Sequence, residues 1–73
     1  MTTAYFFRCF DTTTSARVPG AQSLDGTSLS DAIAQLPATW LPWEALVERG
    51  NQLSLIPRQT LENACRAAGK YRS

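Results

Sequence analysis

Six residues near the start of the chain, Tyr5-Phe6-Phe7-Arg8-Cys9-Phe10, constrain the fold more than any others. Aromatic residues are strong β-formers, so residues 3–10 read as a strand. Strand side chains alternate between two faces. Tyr5, Phe7 and Cys9 therefore share one face, and Phe6, Arg8 and Phe10 share the other. Both faces are apolar apart from one arginine. A strand of this kind needs cover on both sides, from the rest of the chain or from a partner.

The rest of the chain is short. It has 73 residues, enough for one domain spanning residues 1–73. A domain of that size buries only about 60% of the surface its unfolded chain exposes. Apolar residues make up 44% and the net charge is +1, a balance that excludes a disordered chain. No apolar run approaches the ~18–20 residues that cross a bilayer. The N-terminus shows no secretion signal, so a cytoplasmic protein without membrane binding is expected. Two cysteines, Cys9 and Cys65, stand 56 positions apart with no histidine in the chain. That pattern offers no zinc spacing. It is read as two reduced, buried thiols behaving as small hydrophobes; the alternative is a Cys9–Cys65 disulfide joining the ends of the chain, which would require an oxidising compartment.

Downstream, residues 16–22 suggest a second strand, limited to an edge by Pro19 and Gly20. Asp25-Gly26 is a turn signal. Ser28-Leu29-Ser30-Asp31 fits a capping box, with Ser28 accepting from the Asp31 amide and the Asp31 carboxylate reaching back to the Ser28 amide. Leu29, Ile33 and Leu36 then lie on one side of a short helix, which Pro37 ends. The segment from Trp40 to Gly50 has two readings. In one, Pro42 opens a helix that runs to about Arg49 and stops at Gly50. In the other, residues 45–49 and 52–56 form a hairpin around Gly50-Asn51, with Leu46 facing Leu55. Pro57 opens a last helix in which Leu61, Ala64, Cys65 and Ala68 share a face and Gly69 follows the end. The expected fold is α+β: a small antiparallel sheet of two to four strands with two or three helices on one face.

The candidate functional residues follow from what is present and what is missing. Histidine is the commonest general base; without it neither thiol has an activating partner. Arg8 and Cys9 point to opposite faces, so the arginine is poorly placed to lower the thiol pKa. A non-enzymatic protein without a cofactor is expected. Binding hot spots favour Trp, Tyr and Arg. Phe6, Arg8, Phe10, Arg17, Trp40 and Trp43 are the candidate partner-binding residues, with Tyr71 also available. The partner would be a larger protein or a ribonucleoprotein. A homodimer, or assembly through the aromatic strand as an edge, is the other way for so small a chain to bury area.

Charge supplies an alternative. Residues 1–56 carry three cations and five anions, a net −2, whereas residues 57–73 carry four cations and one anion, a net +3. If residues 44–50 are helical, they and the last helix could form a helix-turn-helix regulator that reads DNA through Arg58, Gln59, Asn63, Arg66 and Lys70.

Ala4-Tyr5-Phe6-Phe7-Arg8 and Ser28-Leu29-Ser30-Asp31-Ala32 resemble the opening strand and first helix of small phage-encoded anti-CRISPR proteins. The resemblance covers the first half of the chain and departs at Trp40-Leu41-Pro42-Trp43 and in the basic C-terminal helix. It implies a small inhibitor that blocks a larger complex by occupying its surface, and it assigns no functional residue.

Overall fold

The computed structural model describes residues 2–70. In chain order the elements are β1 (Thr3–Asp11), β2 (Ala16–Arg17), β3 (Gln22–Gly26), α1 (Leu29–Ala34), β4 (Trp40–Arg49), β5 (Gln52–Leu55) and α2 (Arg58–Ala67). The fold is α+β with an antiparallel sheet. Among the described residues it has five strands, one more than the largest number expected, and two helices. Among the described residues, no helix is long and apolar enough to cross a membrane.

β1 lies inside the sheet. β4 pairs along one side of it, and β2 and β3 both pair along the other. Assembly through β1 as a free edge, one of the expectations above, is therefore closed off. The strand expected over residues 16–22 is broken in two. Val18 N still donates to Cys9 O at 3.0 Å. Pro19 then offers no donor and Gly20 turns with φ +72, and pairing resumes at Gln22. Asp25-Gly26 is not a turn but the end of β3, where Asp25 pairs with Ala4 and Gly26 with Thr3. Glycine is required there by close approach: a Cβ at Gly26 would sit 2.8 Å from the Ala32 backbone nitrogen in α1.

Ser28 caps α1 as expected, its hydroxyl accepting from Asp31 N at 3.1 Å. The Asp31 carboxylate reaches one residue further back than a capping box places it, accepting from Thr27 N at 3.0 Å. The last helix ends in a Schellman motif: Gly69, at φ +77, donates to Arg66 O, and Lys70 N donates to Cys65 O.

The segment after Trp40 is a strand and a hairpin, so the helical reading of residues 43–49 is overturned. Arg49 pairs with Gln52 and Leu46 with Leu55 across Gly50-Asn51. Gly50 takes φ +60 while Asn51 does not have a positive φ, the pattern of a type II′ turn that suits strand twist. Pro42 sits in β4 opposite Cys9, at a register shift: Arg8 pairs with Glu44 and Cys9 with Pro42, which leaves Trp43 as the extra residue of a β-bulge. A proline inside a sheet is tolerated at such a site because no ladder donor is needed there.

Phe7, Cys9 and Ala45 of the sheet, Ala32, Ile33 and Leu36 of α1 and its end, and Leu61 and Cys65 of α2 form the core. Both helices thus pack on the Phe7/Cys9 face of the sheet. Cys9 and Cys65 are free thiols, both buried.

Candidate functional site

The register places a defined set of side chains on the face away from the helices. Phe6 pairs with Leu46, Arg8 with Glu44 and Phe10 with Leu41 on one side of β1. On the other side Phe10 pairs with Arg17 and Phe6 with Ser23. Across β4, Leu46 meets Leu55 and Glu48 meets Leu53. Cross-strand partners share a face. The outer face therefore carries Phe6, Phe10, Leu46, Leu53 and Leu55 among a few charged residues, with half-buried Leu41 at its margin, where it also packs against the core. Leu53 is 54% exposed, Leu55 64% and Trp43 40%. Among the described residues no element covers these three side chains.

The bulge sets the chemistry at one end of this face. Trp43 turns outward, and the Arg17 guanidinium lies over its ring, 4.8 Å from the centroid, a cation–π contact. A shallow pocket of ≈ 430 Å³ is lined by Phe10, Arg17, Leu41, Trp43 and Arg58. Arg58 reaches it from the start of α2. Among the described residues its lining holds two guanidinium groups and no carboxylate, while Glu62 lines the adjoining hollow with Leu41, Trp43 and Arg58. Arg8, close by, is paired with Glu44 at 3.3 Å.

Five of the six expected contact residues, Phe6, Arg8, Phe10, Arg17 and Trp43, are brought together here. Trp40 is not. It lies opposite Asp11 on the helix side, half-buried against the core. Tyr71 lies outside the described residues. Leu41, Leu46, Leu53 and Leu55 belong to the face and were absent from the expected set. Their signal was the alternation of the hairpin reading, which places Leu46, Leu53 and Leu55 on one side.

The DNA-reading set does not assemble as expected. Residues 44–49 are in β4, so the first helix of a helix-turn-helix is missing. Arg58, Gln59, Asn63 and Arg66 are exposed on α2, where Gln59 and Arg66 both donate to Asn63 Oδ1, at 3.1 and 3.2 Å. Lys70 turns inward. Its Nζ donates to the carbonyls of Pro37 at 2.7 Å and Leu36 at 3.3 Å, a basic side chain satisfying carbonyls just past the end of α1. Burial lowers its pKa.

The thiols are poor nucleophiles. Burial pushes Cys9 up to about 11, against a weaker opposing pull from Lys70. Cys65 is raised for the same reason. Both stay neutral at neutral pH, and it is the thiolate that reacts. Asp11 moves the other way: the Thr13 hydroxyl donates to its carboxylate at 2.6 Å and the Thr13 amide at 2.9 Å, holding its pKa down. These bonds shape the turn after β1 and leave the outer face untouched.

Comparison with protein-family models, with curated proteins and with solved structures returned no match to this chain.

Proposed function

We propose that the protein is a non-catalytic docking module whose outer sheet face binds a larger protein or ribonucleoprotein. The partner contributes an apolar side chain flanked by carboxylates. The observation that carries this reading is the pocket of Phe10, Leu41 and Trp43 rimmed by Arg17 and Arg58 with no carboxylate of its own. Among the described residues Arg58 has no hydrogen bond or ion pair, so its charge is available to a ligand. Exposed apolar surface of this kind marks interaction sites. Trp and Arg at the centre of a patch are the residue types that dominate binding energy. Occupying a partner's surface in this way is how a small phage-type inhibitor would act, and it needs no catalytic group.

A peptide display library tests this with the chain itself as bait. Sequences that bind the wild type and not Trp43→Ala are expected to pair an aromatic or aliphatic residue with Asp or Glu. Arg17→Ala and Arg58→Ala should each weaken them by about tenfold, the loss of one charge-assisted contact of ~1.5 kcal/mol. Enrichment of basic sequences would overturn the reading. So would binding of a single-stranded oligonucleotide that Trp43→Ala abolishes, because aromatic-plus-arginine surfaces also stack bases.

A further inference from the structure

The two edges of the sheet are built differently. The edge formed by β2 and β3 is interrupted by Pro19 and Gly20, a common way to blunt an edge. β5 forms the other edge. Its four residues, Gln52, Leu53, Ser54 and Leu55, are all exposed, and none is charged, proline or glycine. Apart from its shortness, it carries none of the side-chain devices that prevent pairing with another chain.

Hydrogen-bond alternation shows which groups are free. Arg49 and Gln52 close the two-residue turn, so they bond each other, and so do Val47 and Ser54. The same alternation gives Ile56 N donating to Ala45 O at 2.9 Å. Leu53 and Leu55 occupy the intervening positions. Their N–H and C=O groups point away from β4, along the open edge.

We propose that β5 pairs antiparallel with β5 of a second copy about a two-fold axis at Ser54. In that register Leu53 meets the partner's Leu55 and Leu55 meets the partner's Leu53. All four outward N–H groups then find a carbonyl. Shifting the register by two toward Leu55 sets Leu53 against Pro57, which has no N–H to give. Shifting it the other way sets Leu55 against Asn51 in the turn. The central register is thus the one that satisfies every free group.

The side chains agree with it. On the outer face, Phe6, Leu46 and Leu55 of one copy continue into Leu53 of the other. The four leucines at the seam cover one another. Since β5 is uncharged, no like charges are brought face to face. On the helix side, a groove of ≈ 420 Å³ runs beside Ser54, Ile56 and Pro57, and the second copy lies along it. A C2 contact of this kind is isologous, using one patch on both subunits. It joins the two outer faces into one continuous sheet surface and leaves Trp43 and Arg17 at the far ends, open for the partner proposed above.

Sedimentation equilibrium across the micromolar range tests the seam. The wild type is expected to pass from monomer to dimer. Leu53→Pro removes only an outward N–H, so the hairpin survives while the dimer is lost; Leu55→Lys should also be monomeric, by charge repulsion at the seam. Circular dichroism and the thermal midpoint of each monomeric variant verify that it is folded. Ser54→Cys gives a direct geometric readout. The axis places the two Ser54 positions in a non-hydrogen-bonded pair, with Cα atoms about 4.5 Å apart, within disulfide range. Oxidation should give a covalent dimer with Ser54→Cys and far less with Thr27→Cys, a surface control. A wild type that stays monomeric throughout the range overturns the proposal, as does failure of Ser54→Cys to cross-link. A dimer that survives Leu53→Pro and is lost in Trp43→Ala also overturns it and moves self-association to the outer face. Peptide binding lost in Trp43→Ala with the dimer intact separates this seam from the docking pocket.

Discussion

The two faces of β1 come from one run of six residues, yet they serve opposite ends. Phe7 and Cys9 are fully buried beneath α1 and α2. Phe6 and Phe10, one step along the same strand, remain half-exposed. Propensity does not distinguish them, since phenylalanine occupies both faces. What separates the faces is supply: the described residues provide two short helices, enough to cover one side of the sheet. The apolar character of the second side is then surplus to folding. Surface of that kind marks binding, and it is here that Trp43 and the arginines gather.

The largest effects should fall on the covered face. Phe7→Ala leaves a cavity at the centre of the core and should cost about 3–5 kcal/mol. Total stability for this length is on the order of 4–11 kcal/mol, so this variant should be largely unfolded or close to it. Phe6→Ala should cost about 1 kcal/mol, the loss of a partly buried side chain. Urea denaturation of both variants measures the contrast. Equal losses would mean that the outer face also stabilises the monomer, and the division between the faces would fail.

A smaller effect should appear on raising the pH. Cys9 is held up to about 11 against an ordinary 9.0. Because the folded-state value is raised, the neutral thiol's contribution is whole below pH 9.0 and is lost as pH climbs toward 11. That loss is on the order of 2 kcal/mol. Cys65 is raised too and adds in the same sense. Lys70 acts oppositely. Its lowered value penalises the folded state at neutral pH, and that penalty fades as pH rises toward 10.5. The large Cys9 shift sets the sign of the sum, a net loss as pH rises from 9 toward 11. A urea midpoint that is flat over that window in the wild type would sink the assignment; Cys9→Ala should reduce the slope and leave the part due to Cys65.

Much of this contrast was readable in advance. The alternation of residues 5–10 divides the two faces correctly, and the capping serine, the Leu61/Cys65 helix face and the closing glycine all lie where local chemistry puts them. The two tryptophans show where such reading stops. Strict alternation along β4 from Ala45 and Val47, which are buried, sends Trp43 inward and Trp40 outward. The bulge at Trp43 adds one residue and reverses both, so the exposed indole is Trp43. Pro42 hints at an irregularity in a strand, but equally at the first turn of a helix, and only the pairing with Cys9 decides between them. Gly26 misleads for a similar reason. Its role is the space it leaves for α1, a tertiary fact invisible in the dipeptide Asp25-Gly26. Lys70 counted toward a basic surface in the sequence, whereas folding turns it onto the carbonyls after α1.

The smallest predicted effect concerns the ion pair on the outer face. Arg8 and Glu44 meet at 3.3 Å, with their side chains 57% and 34% exposed. At that exposure water screens the attraction, and two flexible side chains lose rotamer freedom to keep it. A double-mutant cycle with Arg8→Ala and Glu44→Ala should give a coupling of about 0.2–0.5 kcal/mol, fading further in salt. The pair's consequence is elsewhere: it neutralises Arg8 and leaves Arg17 and Arg58 as the cations around Trp43 that form no ion pair among the described residues. Removing Glu44 should therefore strengthen binding of the acidic peptides while hardly altering the urea midpoint. A coupling above about 1.5 kcal/mol would show instead that this face is organised for the monomer's own stability. The contrast between a folding face and a docking face would then have to be redrawn at the bulge alone.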